Sequence, residues 1–289
     1  MKINGYTRTC GLIGNPVEHT MSPVIHNTLA DATGENLVYV PFHVEEGRLA
    51  DALKGAYALN LLGMNVTVPY KSDVIEGLED IDPLAAQIGA VNTLVRVEGG
   101  YKGYNTDMPG LYRAMCSDGV DIEGEEVLVL GAGGVARAVA MLLAWKKAAS
   151  VTLLNRTVEK AQKVADEVNA IAGEGFVKVL PLAEHQKLSS HQKYLAIQAT
   201  SVGMFPRVED VVIDEDAFYE KIHTGYDLIF NPMETKFMEK VKAHGGRAFC
   251  GYKMLLYQGI IAYELWTGKQ IDEGLAAQVY EKMLAAMKK

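Results

Sequence analysis

Cysteine is scarce in this chain: Cys10, Cys116 and Cys250 are the only three in 289 residues, and they stand far apart. An odd, unpaired set excludes a disulfide framework and suits a reducing compartment. Apolar runs are short, none reaching the ~20 residues a membrane-spanning helix needs. The start, Met1 to Gly14, lacks the charged, apolar, then small order of a signal peptide. Basic charge is also in deficit, with 28 Lys and Arg against 36 Asp and Glu and a net charge of -8. That argues against a nucleic-acid partner, because phosphate binding needs clustered basic side chains. The seven histidines fall in no HExxH or Cys/His ligand spacing, so no metal site is expected. These absences leave a cytoplasmic protein, monomer or homodimer, whose partner is a small molecule rather than a membrane or nucleic acid.

What is present is an ordinary globular composition, 49% hydrophobic and rich in glycine. The first third alternates strands and helices. Thr9–Gly14 is an apolar run stopped by Gly-Asn-Pro, and Ser22-Pro23 opens a helix to about Asp31, with Ser22 as a cap. Leu37–Val44 reads as a strand, Gly47–Leu59 as a helix, and Met64–Val68 as a strand stopped by Pro69. Strands separated by helices imply parallel pairing, whereas Val91–Val97 and Tyr101–Tyr104 look like a hairpin. After Asp107 the pattern restarts, with a linking helix at Met108–Cys116 and an apolar strand at Glu126–Leu130. A long helix to about Lys147, a strand at Val151–Leu154 and a helix at Val158–Ala172 follow. Tyr194–Ala199 and Tyr226–Phe230 read as buried strands, and Met254–Trp266 and Glu273–Met287 as closing helices.

Strand residues Val127 to Leu130 run directly into Gly131-Ala132-Gly133-Gly134-Val135-Ala136 and then a helix. Strand, tight glycine turn and helix N-terminus form the context in which GxGxxA binds a dinucleotide. The first glycine permits the turn and the second admits the pyrophosphate, which the helix dipole and free N–H groups hold. Ala136 is small where helix and strand pack. About 20 residues on, an NAD enzyme usually carries an acid for the ribose hydroxyl. Here the strand ends in Asn155-Arg156-Thr157 with Lys160 a turn later, a cationic set suited to a 2′-phosphate and hence to NADP. A solvated surface arginine is the plainer alternative.

Three polar groups sit at strand ends in the first part. Asn65 and Thr67 share one strand face by the two-residue period, with Lys71 just beyond; Asn92-Thr93 and Asn105-Thr106-Asp107 follow. Ligands of open α/β sheets bind at strand ends, although a lone loop lysine also reads as a solvated charge and each asparagine as a turn residue. His19 and His26 flank the loop around Thr20 and read equally as structural.

Taken in order, Gly11-Leu12-Ile13-Gly14-Asn15-Pro16, Ser22-Pro23 with His26-Asn27, Asn65-Val66-Thr67-x-Pro69-x-Lys71, Ala90-Val91-Asn92-Thr93, Asn105-Thr106-Asp107, Gly131–Ala136, Asn155-Arg156-Thr157, Ala199-Thr200-Ser201-x-Gly203-Met204 and Met254-Leu255-x-x-Gln258 closely resemble the shikimate dehydrogenase family, from about residue 8 to 270. The resemblance implies an α/β protein with an N-terminal mixed-sheet substrate domain (1–107 and 252–289), whose C-terminal helices pack back on it. The remaining residues, 108–251, would form a Rossmann-type NADP domain. It implies reversible reduction of 3-dehydroshikimate to shikimate by NADPH, with Lys71 and Asp107 as the catalytic dyad. By the same resemblance Thr20 and Ser22 hold the carboxylate, and Asn65, Thr67, Asn92 and Gln258 the ring hydroxyls. Thr200 and Gly251 join the glycine turn on the cofactor side.

Several positions depart from the family pattern: Thr20 for a usual Ser, Gln198 for Asn, Phe230 for Tyr and Lys253 for a small residue. The stretches Asn231-Pro232-x-x-Thr235-Lys236 and Trp266-Thr267-Gly268-Lys269 look more like the quinate/shikimate branch. A quinate dehydrogenase and a non-catalytic nucleotide-binding regulator therefore stand as alternatives, the second opposed by the presence of both Lys71 and Asp107.

Overall fold

The structure, a computed structural model, describes residues 3–287. The chain forms two compact units, one of residues up to Gly110 together with those from Leu255 onward, the other Leu111–Met254.

The first unit begins with β1 (Arg8–Gly14), α1 (Ser22–Thr33), β2 (Leu37–His43), α2 (Leu49–Ala58), β3 (Gly63–Val66), β4 (Asp80–Ile81), α3 (Pro83–Ile88), β5 (Thr93–Val97) and β6 (Gly100–Tyr104). Its six strands lie in the order β2-β1-β3-β5-β6-β4. The helical connections α1 and α2 make β1 parallel to β2 and β3, as crossovers require. From β3 to β5 and β5 to β6 the pairing turns antiparallel, so the sheet is mixed. Leu53, Met64, Val74, Val91 and Leu94 fill the core on one side of this sheet.

Helix α4 (Asp107–Ser117) carries the chain into the second unit: β7 (Glu126–Leu130), α5 (Gly134–Trp145), β8 (Ser150–Asn155), α6 (Val158–Ala172), β9 (Val177–Pro181), β10 (Tyr194–Gln198), α7 (Asp216–Tyr219), β11 (Ile222–Asp227), α8 (Lys236–Ala243) and β12 (Arg247–Cys250). Every pairing in this sheet is parallel, in the order β12-β11-β10-β7-β8-β9. The order reverses between β7 and β10, the doubly wound arrangement in which ligands bind beyond the strand C-termini at the reversal. A sheet covered on both faces explains why β7, β8 and β10 read as continuous apolar runs.

Helices α9 (Tyr252–Thr267) and α10 (Glu273–Met287) return to the first unit. Trp266 Nε1 donates to Leu94 O in β5 (2.9 Å), Lys269 Nζ to Thr33 O (2.8 Å), and α10 lies along α1. Gly63 in β3 is where the indole of Trp266 rests, and any Cβ there would collide with the ring and with Leu94 O.

Some element readings are corrected. Met21, not Ser22, is the N-cap of α1, and Ser22 is the first helical residue. The strand expected at Tyr226–Phe230 is Ile222–Asp227; the apolar run continues beyond it because Ile229 is buried in a loop, its N–H donated to Asp227 Oδ1. Strand β3 ends at Val66, so Thr67 stands in the following turn, its carbonyl accepting from Tyr70 N. The edge strands β9 and β12 and the short helices α3 and α8 are not among the elements expected from sequence, although Phe237, Met238 and Val241 of α8 form one buried helical face.

Candidate active site

Two turns anchor the polar residues of the first unit. Tyr70, buried, donates its hydroxyl to Val44 O (2.8 Å), and Val91 N donates to Lys71 O (2.7 Å). The backbone that carries Lys71 is thus held on both sides. Asp107 is the first residue of α4, and Asn105 Oδ1 accepts from its N–H (3.1 Å) while Asn105 Nδ2 donates to Ala90 O (3.0 Å).

On this frame Lys71 Nζ lies 2.6 Å from Asp107 Oδ2, with the two side chains 33% and 21% exposed. The pair is therefore reachable by a ligand yet partly screened from water. Asn92 Nδ2 donates to the other carboxylate oxygen, Asp107 Oδ1 (2.8 Å). Asn92 Oδ1 accepts from Thr106 N (2.8 Å), Thr106 Oγ1 (3.1 Å) and Thr93 Oγ1 (3.0 Å). A backbone N–H can only donate and a carboxylate only accept, so this amide has one permitted orientation. Its oxygen is saturated and one N–H remains to offer.

Asn65 is the complement. Its Nδ2 donates to Asn92 O (3.2 Å) and Thr93 Oγ1 (3.0 Å), and its Oδ1 accepts from Tyr39 OH (2.8 Å). Both amide hydrogens are engaged, so Asn65 has only an acceptor lone pair left. Thr93 and Thr106 stand in the polar groups read at the strand ends, without a role of their own, and Tyr39 is in none of those groups. All three are buried, and a lone Tyr in a strand such as Tyr39 carries no motif signal.

Thr20 Oγ1 donates to Ser22 Oγ (3.1 Å) and accepts from Ser22 N (3.2 Å), which places the two hydroxyls together. Gln258 is partly buried on α9 and donates to Leu255 O of its own helix (2.9 Å). His26 is fully buried against Tyr39, ring centroids 4.2 Å apart, with Trp266 at 5.0 Å. Burial pushes its ring down to about 3, so it is neutral packing material.

In the second unit, Gly131 directly follows β7 with φ +118, a conformation glycine tolerates, and a Cβ there would crowd Ala199 O and Thr200 Cγ2. Helix α5 starts at Gly134 with Gly133 as N-cap, no side chain capping it and no acid in its first turn. A Cβ on Gly133 or Gly134 would meet nothing within 4 Å. A helix start with no side-chain cap and with room beside its glycines fits an anionic pyrophosphate. Val135 is half exposed and Ala136 fully buried against the sheet. At the end of β8, Asn155 Nδ2 donates to Thr157 O (2.8 Å), while Arg156, Thr157 and Lys160 are exposed. Gly251 is buried, its N–H donated to Ile229 O (3.1 Å).

A doubly wound sheet with an open glycine turn, joined to a mixed-sheet unit carrying a lysine–carboxylate pair, has the parts of a pyridine-nucleotide dehydrogenase. Comparison with known proteins is specific about which kind. Residues 12–94 match the family model described as shikimate dehydrogenase substrate binding domain. Residues 115–201 match shikimate / quinate 5-dehydrogenase, and 251–288 the shikimate 5′-dehydrogenase C-terminal domain. The shikimate dehydrogenase (NADP(+)) of Moorella thermoacetica is 41% identical, the match spanning 99% of this chain and 97% of that protein. That of Carboxydothermus hydrogenoformans is 39% identical over 93% and 94%. A crystal structure of shikimate dehydrogenase in complex with NADP+ superposes with a TM-score of 0.89 at 34% identity, covering 100% of this chain and 98% of that one. The shikimate 5-dehydrogenase of Listeria monocytogenes in complex with shikimate and NAD gives 0.89 at 29%, covering 97% and 98%. The chain belongs to the shikimate dehydrogenase family.

Proposed function

We propose that this protein catalyses the NADP-dependent, reversible reduction of 3-dehydroshikimate to shikimate. The observation that carries the reading is the chain Lys71–Asp107–Asn92, closed at 2.6 and 2.8 Å in a protein of this family. NADPH, when bound, supplies a hydride to the ketone carbon. The carbonyl oxygen then holds the displaced electron pair and must gain a proton to become the alcohol. Lys71 Nζ donates one hydrogen to Asp107 and has others to offer that oxygen, where negative charge grows as the carbonyl is reduced. Asp107 holds the ammonium in place, and the proton that Lys71 gives the oxygen is regained from solvent, to which the pair is partly exposed.

The donor and acceptor pattern suits a polyhydroxylated ring. Asn92 offers an N–H to a hydroxyl oxygen and Asn65 accepts from a hydroxyl proton. Thr67 and Gln258 serve the remaining hydroxyls, and Thr20 with Ser22 the carboxylate. On the cofactor side the turn from Gly131 to Ala136 receives the pyrophosphate, and Asn155, Arg156, Thr157 and Lys160 the 2′-phosphate. Thr200 and Gly251 border the same site.

Initial rates with shikimate and quinate, each with NADP+ and NAD+, test the reading. Shikimate with NADP+ is expected to give the largest kcat/KM. Quinate in first place would move the protein to the other branch, and NADP+ binding without turnover on either acid would overturn the enzymatic reading.

A further inference from the structure

Strand β10 is central in the second sheet, between β7 and β11, and it ends at Gln198, whose side chain is 1% exposed. The backbone at this point is tied to both neighbours: Ala199 N donates to Leu130 O (3.0 Å), the residue before the glycine turn, and Leu228 N to Gln198 O (3.0 Å). The buried carboxamide then turns onto the loop that follows. Its Oε1 accepts from Thr200 N (2.6 Å) and Thr200 Oγ1 (2.7 Å), and its Nε2 donates to Val202 O (3.0 Å). Thr200 N can only donate and Val202 O can only accept, so the amide orientation is determined. The hydroxyl of Thr200 is engaged as well, its hydrogen given to Gln198 and a lone pair taken by Val202 N (3.1 Å). This loop is the wall against which Gly131 rests, because a Cβ on Gly131 would come within 2.9 Å of Thr200 Cγ2 and 3.1 Å of Ala199 O. One buried amide therefore determines the shape of the segment opposite the open start of α5.

We propose that Gln198 is a positioning residue for the dinucleotide: it holds the Thr200–Val202 loop in the form that completes the cofactor site, and Thr200 acts through that loop rather than as a hydrogen-bond donor to the cofactor. The inference rests on the assignment of the glycine turn to NADP(H). The carboxamide meets three loop groups, two donors and one acceptor, from a single strand-end position, with the reach that the longer glutamine side chain provides. The consequence falls on cofactor affinity, since the loop belongs to the unit that carries the glycine turn, whereas Lys71 and Asp107 belong to the other.

The test is NADPH titration, followed by the coenzyme's own fluorescence, on the full chain and on Gln198→Met, Thr200→Val and the double variant. Methionine keeps length and volume but removes all three hydrogen bonds, and valine keeps the shape of Thr200 without its hydroxyl. Each single variant is expected to raise the NADPH dissociation constant about tenfold, equivalent to ~1.4 kcal/mol. The double variant is expected to be no weaker than the weaker single one, because both changes undo the same clamp. The shikimate KM at saturating NADP+ should move less than about twofold, since none of the residues assigned to the substrate is altered. Unchanged NADPH affinity in Gln198→Met, with only the unfolding temperature lowered, would make the residue structural and overturn the proposal. Additive losses in the double variant would also overturn it, assigning Thr200 a direct contact. If Gln198→Met does not fold, Gln198→Asn retains a buried amide but withdraws it by one C–C bond, about 1.5 Å, and the same rise is expected; wild-type affinity there refutes the inference. A wild-type protein that fails to bind NADPH would instead refute the cofactor assignment itself.

Discussion

Replacing Lys71 with methionine keeps the length and apolar stem of the side chain and removes the ammonium that lies 2.6 Å from Asp107 Oδ2. The pair is partly exposed, 33% and 21%, so its loss should cost the fold no more than about 1 kcal/mol. The loss in catalysis should be far larger. A donor aimed at an oxygen that becomes anionic only in the transition state is worth about 10²–10³ in kcat, or ~2.7–4 kcal/mol. Since that charge is absent in the bound ketone or alcohol, KM should change much less than kcat. Asp107→Asn should be comparably slow, for a reason visible in the hydrogen bonds. The carboxylate accepts from Lys71 on one oxygen and from Asn92 on the other, whereas an amide has one acceptor and turns an NH2 toward one of those donors. Steady-state rates of shikimate oxidation by NADP+, with urea unfolding of the same preparations, measure both quantities. A Lys71→Met protein turning over within threefold or so of wild type would show that no donor at this position is needed, since even the lower bound for general acid–base catalysis is ~10².

Arg156→Ala should raise KM for NADP+ by about tenfold or more while leaving that for NAD+ nearly unchanged, since only the former carries a 2′-phosphate for a guanidinium to bind; equal effects on both coenzymes would remove the assignment. Gly63→Ala should destabilise the first unit by about 1–3 kcal/mol through overpacking against Trp266, measured by urea unfolding; a neutral result would mean that the Trp266–Leu94 contact yields easily. Burial pushes the carboxyl of Asp227 from 3.8 up to about 6, so between about pH 4 and 6 the folded protein holds a proton that the unfolded chain has released. Stability should therefore fall by ~3 kcal/mol as pH rises through that window and level off above it. Asp227→Asn, which retains an oxygen for Ile229 N, should lack this fall and be at least as stable as wild type at pH 7.5; parallel stability profiles would contradict the argument.

Much of this protein is determined locally and so was legible in the chain. A glycine turn between an apolar strand and a helix is a short-range feature, and β7, α5 and their junction at Gly131 follow from adjacent residues. Helix α6 at Val158–Ala172 and α10 at Glu273–Met287 were read with the observed ends because their apolar spacing is regular and uninterrupted. The ordered motifs likewise announced the family, the mixed-sheet and doubly wound units, and the residues to compare. Tertiary structure alone decided what depends on partners distant in sequence. That Asn92 keeps only a donor follows from Thr106, 14 residues away along the chain, and that Asn65 keeps only an acceptor follows from Asn92 O and Thr93, 27 and 28 residues away. The return of Trp266 onto Leu94, across 172 residues, is what requires glycine at position 63. Gln198 illustrates the same limit: the sequence marks it only as a departure from the family's usual Asn, and its three hydrogen bonds alone give it a role. Periodicity and turn chemistry operate over a few residues of chain, whereas the orientation of a buried amide depends on which groups the fold brings within about 3 Å of it.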